Sequence, residues 1–346
     1  MMNSNLLLPK HARIKEIAKL SGLSTATVDR VIHGREGVRK TTQLRVMQAK
    51  KSIESGKVPV VNRNKPWRIK IFLPGNAGPS TEYLAKCFQQ IEVNGTYIIE
   101  CIFSRKLEPI MLACKLKACI NQGVDAVGVQ ALEDHRVKEA IEYLHNNGIP
   151  CISIVTGIDT PSVQGTIEID NRSAGRTAGY LMGQFTQTTG EIAIVSAGHL
   201  YRAHEEREMG FRAIIRRQFS NLHIISTVCG HDDFNENYQQ VKNLLLQHPN
   251  LIGIYNVGGG VEGMIKAVVD SNVSIKTMIV THNLTPANKA FLMDGHVNII
   301  IHQDMQLIAT RTINALISIL EKKEHQNQYL PINVITRENI TGFNFT

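Results

Sequence analysis

Three groups of residues have the types and spacing to do chemistry. The first is Gly258-x-Gly260-x-x-Gly263, which follows a strand pattern and opens a helix pattern. It matches the phosphate-cradling fingerprint of dinucleotide-binding enzymes, but that motif needs a carboxylate ~20 positions on to hold the ribose hydroxyls. Positions 276–284 read KTMIVTHNL, with no acid. The favoured reading is a tight turn that lets a ligand approach backbone. A nicotinamide-dependent (NAD(P)) oxidoreductase using Gly258–Gly263 is the alternative from the enzyme class. The second group is acidic and imidazole side chains. Glu205-Glu206 and Asp232-Asp233 are adjacent pairs whose side chains diverge, so neither makes an acid/base dyad by itself. His199, His204 and His231 have no cysteine or carboxylate at metal-ligand spacing. There is no G-x-S-x-G nucleophile elbow and no C-x-x-C pair among the cysteines. No catalytic residue, cofactor or metal is assigned.

The third group lies near the N-terminus. Ser24 caps a helix pattern that opens Thr25, Ala26, Thr27 and continues through Asp29 to Arg30. Small residues and one arginine at the start of a helix suit base edges: a thymine methyl for Thr25 or Ala26, a guanine or phosphate for Arg30. Arg13, Arg35, Arg39 and Lys40 stand where phosphates would lie.

Charge supports this reading. The chain has 346 residues and a formal charge of +8. Residues 1–70 hold 16 Lys and Arg against 4 Asp and Glu, so the remainder is slightly acidic. The asymmetry points to a polyanion partner for the first fifth of the chain. A solvated basic tail is excluded by an apolar pattern in the same stretch. Ile14, Ile17, Ala18 and Leu20 form one helical stripe, and Val28, Val31 and Ile32 a second. Leu44, Val46, Ala49 and Ile53 form a third. Three short helices, the first two joined by a Gly-containing turn, make a helix-turn-helix plan.

From Arg68 the rhythm changes. Short apolar runs (Ile69–Leu73, Tyr97–Phe103, Ala126–Val129, Cys151–Val155, Ile192–Ser196, His223–Val228, Ile252–Val257, Thr277–Thr281) alternate with helical patterns. That alternation predicts α/β architecture with parallel sheets, and eight strands over such a length suit two doubly wound sheets. Ligands in such folds bind at strand C-terminal ends. The strand-end loops hold Asn76, Thr156, Arg207, Phe234, Gly258, His282, Asn283 and Gln303. Neutral amides, one arginine, one ring and one histidine suit a polar, largely uncharged ligand with many hydroxyls. The composition, 43% hydrophobic and 20% charged, is globular rather than disordered. No apolar run approaches the ~18 residues of a membrane span, and no secretory signal is evident, so a cytoplasmic protein with no membrane partner is expected.

The residues from Ile14 to Val46 follow I-x-x-I-A-x-x-x-G-x-S-x-x-T-V-x-R-V, then V-x-x-x-T-x-x-R-V. This pattern resembles the DNA-binding domain of the lac repressor (LacI/GalR) family. The resemblance implies a homodimeric regulator on a pseudo-palindromic double-stranded operator, most often a repressor, switched by a small effector. Thr25, Ala26 and Arg30 fall on its base-reading positions. The stretch after the third helix departs from the family: Ser55–Arg68 lacks Tyr-x-Pro-Asn, and Pro59 and Pro66 argue against a hinge helix. Lys57, Arg63 and Lys65 suggest a linker that tracks phosphate.

The rest of the chain resembles the ribose-binding type of periplasmic binding protein. The motifs are Gly148-Ile149-Pro150, Ile167–Asn171, Arg207–Phe211, T-H-N-L-T-P-A-N from Thr281, and Ile301–Asp304. The resemblance places Arg207, Asn283 and Gln303 on sugar-contacting positions, Phe234 on a ring-stacking one and Asn76 near another. Val155-Thr156 stands where ribose binders carry Asp-Arg, and Asn283 where an Asp is usual, so a related sugar, a polyol or a modified sugar is expected as readily as ribose. The expected fold is an N-terminal all-α helix-turn-helix domain, then an α/β type I periplasmic-binding-protein-like fold of two doubly wound lobes. The expected domains are 1–56, a linker 57–67, and 68–346, with lobe 1 at about 68–169 and 304–330 and lobe 2 at about 170–303 and 331–346. A sugar-binding protein without regulation is the remaining alternative.

Overall fold

The computed structural model describes residues 14–50, except 22, 36, 40–41, 44–45 and 48, and residues 65–343. Within the latter, 76, 92–94, 106–107, 187, 199–200, 272–276 and 324–328 are excepted. Arg13, Lys40, Asn76, His199 and linker positions 57–64 therefore lie outside the described residues. The chain divides into a small unit, Met1–Trp67 with Val93–Ile98, and a large unit, Arg68–Glu92 with Ile99–Thr346.

In the small unit, α1 (Ile14–Ser21) and α2 (Thr25–Ile32) are joined by a turn in which Leu23 N–H donates to the Ala18 carbonyl at 3.2 Å. Ile17, Ala18 and Val28 are buried with Val46 and Ala49 from the helical residues that follow, and Leu23 packs against them. The three sequence stripes thus close one core, which sets α2 at a fixed angle to α1.

In the large unit a five-stranded sheet has the order β2-β1-β3-β4-β5, with β1 (Trp67–Gly75), β2 (Tyr97–Arg105), β3 (Ala126–Val129), β4 (Cys151–Ile154) and β5 (Gly165–Ile167). β1, β3, β4 and β5 pair in parallel. One face packs on α4 (Pro109–Ala118) and α5 (His135–Asn146) through Leu112, Leu116, Val137, Ile141 and Leu144. α3 (Pro79–Gln90) follows β1, and α6 (Asn171–Phe185) follows β5.

The second sheet is six-stranded. Its parallel strands are β6 (Gly190–Ser196), β7 (Leu222–Cys229), β8 (Leu251–Asn256), β9 (Met278–His282) and β10 (Ile299–Gln303). β11 (Ile332–Ile335) closes the edge antiparallel to β10. The order is β11-β10-β9-β8-β6-β7. One face is covered by α6 and α7 (Arg202–Gln218), the other by α8 (Phe234–Gln247), α9 (Val261–Asp270) and α10 (Pro286–Met293). Both sheets are buried on their helix-covered faces, which is why their strands read as continuous apolar runs rather than alternating ones.

The chain passes between the sheets three times. Between β5 and α6 it passes through Asp170, whose carboxylate caps α6 by accepting from Ser173 N–H at 2.8 Å. After β10 it passes through Asp304, which caps α11 (Met305–Leu320) by accepting from Leu307 N–H at 2.9 Å. α11 packs on the first sheet, where a Cβ on Gly128 of β3 would meet Thr312 and Leu316. The chain then returns to β11 beside β10. Both of the first two crossings are thus pinned at a helix N-cap, a rigid point from which each lobe departs.

Several elements differ from the sequence reading. Among the described residues eleven strands form where the sequence shows eight apolar runs: β5 and β11 are only three and four residues long, and β10 is a five-residue strand whose apolar part is just Ile299–Ile301. The sequence pattern puts 197–207 in a loop, yet α7 begins at Arg202. Its first turns are charged (RAHEERE) and its N-cap, Tyr201, makes no side-chain capping bond, so the local signals of a helix start are missing. α3, α10 and α11 are likewise helices that the strand-end reading does not separate.

Candidate functional site

The head presents a surface at the start of α2. Ser24 is the N-cap: its Oγ accepts from Thr27 N–H at 3.2 Å and lies 2.8 Å from Thr27 Oγ1. These two hydroxyls are bound to each other and to the helix end. Thr25, Ala26 and Arg30 are exposed, and Ala26 and Arg30 share a face at i, i+4 spacing. Asp29 contacts His33 at 3.0 Å and Arg35 at 3.4 Å, so it draws Arg35 toward the C-terminal end of α2. Arg39 is exposed beyond it.

The second surface is a cleft with a cavity of about 120 Å³ at the strand ends of both sheets. The first sheet contributes Gln130 after β3 and Val155 and Thr156 after β4, together with Thr81 and Leu84 of α3. The second contributes Arg207 and His204 of α7, Asp232, the Gly258–Gly260 loop, His282, Asn283 and Gln303. Of the eight residues expected here, Thr156, Arg207, Gly258, His282, Asn283 and Gln303 meet in this one cleft. Asn76 lies outside the described residues.

Phe234 is a correction. Asp233 caps α8 by accepting from the N–H groups of Asn235 and Glu236, which makes Phe234 the first helical residue. It is 44% exposed and outside the cleft lining. The aromatic ring at the cleft is Tyr201, buried and 5.5 Å from the His204 ring.

Arg207 sits in the second turn of α7, brought against α6 by close backbone approach. A Cβ on Gly175 would lie 1.9 Å from the Arg207 carbonyl, so only glycine permits this crossing. The guanidinium is buried, its Nε–H donating to Asn171 Oδ1 at 2.8 Å and its Nη1–H to the Val257 carbonyl at 2.9 Å. Asn171 in turn donates from Nδ2 to Glu168 Oε2 at 3.1 Å, and Gly157 N–H donates to the same oxygen at 3.1 Å. An amide thus bridges a buried cation and a buried carboxylate next to the first crossing. Burial pushes the Glu168 carboxyl up to about 7, with Glu206 adding to the rise. Burial lowers Arg207, and Tyr255, Asp232 and Glu168 act against it. Behind these, Tyr255 stacks on Phe211 at 4.5 Å and its hydroxyl lies 2.7 Å from His282 Nε2. Burial, with Arg207 and His204 nearby, holds His282 well below its ordinary value, so its ring is neutral.

Three left-handed residues that are not glycine line the cleft: Val155 at φ 67°, Asp232 at 58° and Asn283 at 62°. A β-branched residue in this region is strained, and such strain collects at ligand sites. Among the described residues, Gln130 Oε1, Asn283 Oδ1 and Gln303 Oε1 are buried acceptors with no protein hydrogen-bond partner. All three line the cleft and come from both sheets.

The glycine loop serves packing. A Cβ on Gly258 would lie 2.4 Å from Asp232 Oδ1, and one on Gly263 2.0 Å from the Phe234 carbonyl. Asp232 Oδ1 accepts from Gly259 N–H at 2.7 Å. β9 ends in Thr281–His282, where a dinucleotide site would want its acid.

Sequence reasoning misses Gln130, Tyr201, Asp232 and Asn288 as lining residues. Gln130 follows β3 directly, so the strand-end rule could have found it. Tyr201 carries no such signal, because nothing local marks the start of α7.

The family model of the periplasmic binding protein domain matches residues 114–324, more than half of the chain, and the chain belongs to that family. Residues 13–54 match the lacI family of bacterial regulatory proteins, so the molecule is a DNA-binding regulator of LacI type with a periplasmic-binding-protein-like effector domain. Solved structures share the fold of the large unit. One is a solute-binding protein from Burkholderia graminis in complex with D-arabinose (TM-score 0.76, 18% identity, 82% of this chain and 100% of that one). Another is GanP, a glucose-galactose binding protein from Geobacillus stearothermophilus (TM-score 0.73, 18% identity, 80% and 99%). A third is a solute-binding protein from Agrobacterium vitis with bound α-D-tagatopyranose (TM-score 0.72, 17% identity, 80% and 96%). No curated protein matches the chain by sequence.

Proposed function

We propose that this regulator is a cytoplasmic, non-enzymatic repressor whose operator affinity is set by one small sugar or polyol held in the cleft. The observation that carries the ligand class is the set of three buried, unpaired amide oxygens, Gln130, Asn283 and Gln303. A buried acceptor without a donor costs about 1–3 kcal/mol. A ligand rich in hydroxyls donates to all three at once and recovers that cost. The cavity, at about 120 Å³, compares with the ~150 Å³ that accepts a benzene ring, so a single ring fills it. Related folds hold D-arabinose and α-D-tagatopyranose, which are ligands of this chemistry.

The effector residues in this reading are Thr156, Arg207, His282, Asn283, Gln303 and the Gly258 backbone, and Asn76, outside the described residues, is kept with them on the family resemblance alone. Gln130 and Tyr201 are added, and Phe234 is withdrawn. Ligand contacts from both lobes favour a closed arrangement about the crossings at Asp170 and Asp304. Only this differential affinity can be passed to the heads. On DNA, a homodimer places two copies of α2 in successive major grooves of a pseudo-palindrome. Thr25, Ala26 and Arg30 read bases, Ser24 and Thr27 fix the helix start, and Arg13, Arg35, Arg39 and Lys40 hold phosphates.

A thermal-shift screen of aldoses, ketoses and polyols tests the ligand class. A binder raises Tm because it binds only the folded state, and Gln303→Leu removes the rise. A binder whose effect survives Gln303→Leu and Asn283→Leu together contradicts the assignment.

A further inference from the structure

We infer that Cys229 is a thiol–disulfide exchange site, activated by His231 and Glu236, that takes small disulfides. Cys229 is the last residue of the edge strand β7, and Glu236 lies in the first turn of α8. The tight turn between them brings three side chains into line. Cys229 Sγ lies 3.3 Å from His231 Nε2, and His231 Nδ1 lies 2.5 Å from Glu236 Oε2. A carboxylate only accepts, so Nδ1 carries the proton and Nε2 offers its lone pair to the thiol. Nucleophile, base and orienting acid stand in the order of an activated cysteine. The His231 backbone has φ 48°, in the left-handed region that histidine enters more readily than most residues, and this turn aims the ring back at the strand end. Cys229 is half-buried, and only a glycine fits at position 198, where a Cβ would sit 3.0 Å from the sulfur.

The other cysteines set the contrast. Cys87, Cys119 and Cys151 are buried, and burial pushes the thiols of Cys101 and Cys119 up to about 11. Cys114 is exposed on α4 and serves as the internal reference thiol. Exchange needs an accessible sulfur and a base but no oxyanion donors, which matches what the Cys229 site supplies. The thiol gives its proton to His231 Nε2. The thiolate then attacks one sulfur of the disulfide, and its S–S bond breaks as the new one forms. The leaving thiolate departs with the electron pair and takes a proton from solvent. Cys229 is oxidised to a mixed disulfide, one sulfur of the incoming disulfide is reduced to a free thiol, and the other stays at the disulfide level in its bond to Cys229.

The test is the kinetics of the full chain with dithiobis(nitrobenzoic acid) at neutral pH. Two phases are expected, the faster from Cys229. Cys114→Ser keeps the fast phase and Cys229→Ser removes it. His231→Asn slows it by about ten-fold or more, the low end of what a positioned base supplies, and Glu236→Gln slows it less. Far-ultraviolet circular dichroism checks that each variant is folded. Equal rates for the two thiols, or a fast phase untouched by His231→Asn, overturns the proposal.

Discussion

At the scale of single residues, the cleft is defined by groups that the protein does not satisfy itself. Arg207 differs from the three amide oxygens: Asn171 and the Val257 carbonyl already hold its guanidinium, so it positions the site. Arg207→Ala leaves Asn171 and the Val257 carbonyl without this donor and is expected to abolish the ligand-induced rise in Tm, with the head's operator affinity unchanged. Glu168 gives a pH dependence whose sign follows from its direction. Its folded pKa, about 7, lies above the ordinary 4.5, so the folded state binds the proton more tightly. The contribution is complete below about pH 4.5 and is lost as pH rises through 7, each tenfold gain in proton affinity being worth ~1.4 kcal/mol. Glu168→Gln keeps the hydrogen-bonding shape of the protonated acid, and Tm measured from pH 5 to 8 is expected to flatten. A slope identical to that of the parent protein would remove Glu168 from this role. Val155→Gly is expected to be near neutral in Tm, because relief of the left-handed strain, of order 1–3 kcal/mol, offsets lost contacts.

Elements explain which parts are legible in the sequence. The head helices can be read because Ser24 and the apolar spacing are local signals. The same holds for the strands that end at His282 and Gln303 and for the one that stops two residues before Thr156, since a continuous apolar run giving way to a polar residue marks a strand end. α7 cannot be read that way. Its helix is imposed by packing on α6, through Gly175 and Gly210, rather than by a cap. Tyr201 and Phe234 are indistinguishable as sequence, each an aromatic residue after a strand. What separates them is Asp233, which starts α8 one residue before Phe234 and leaves that ring in solvent. The return of α11 to the first sheet is legible only through family resemblance, because no local signal marks which sheet a helix joins. Gly175→Ala forces a Cβ to 1.9 Å from the Arg207 carbonyl. It is expected to destabilise the large unit and weaken ligand binding together, which paired thermal melts and titrations would show. In the head, Ile17→Ala is expected to cost ~2–5 kcal/mol of that unit's stability.

For the whole molecule, charge and linkage make the account quantitative. The basic head predicts operator affinity that falls steeply as salt rises, because neutralised phosphates release counterions. Arg30→Ala is expected to relax preference at one base position by ~1–3 kcal/mol, whereas Arg39→Ala weakens all sequences alike. The central claim is tested most directly by fluorescence anisotropy of a duplex selected from a random pool, titrated with and without a saturating sugar found by thermal shift. The expected result is a midpoint displaced by about 5–150-fold, the range of a 1–3 kcal/mol coupling, and a displacement lost in Arg207→Ala. Superimposable titrations with and without the sugar would contradict a cleft that governs the grip on DNA.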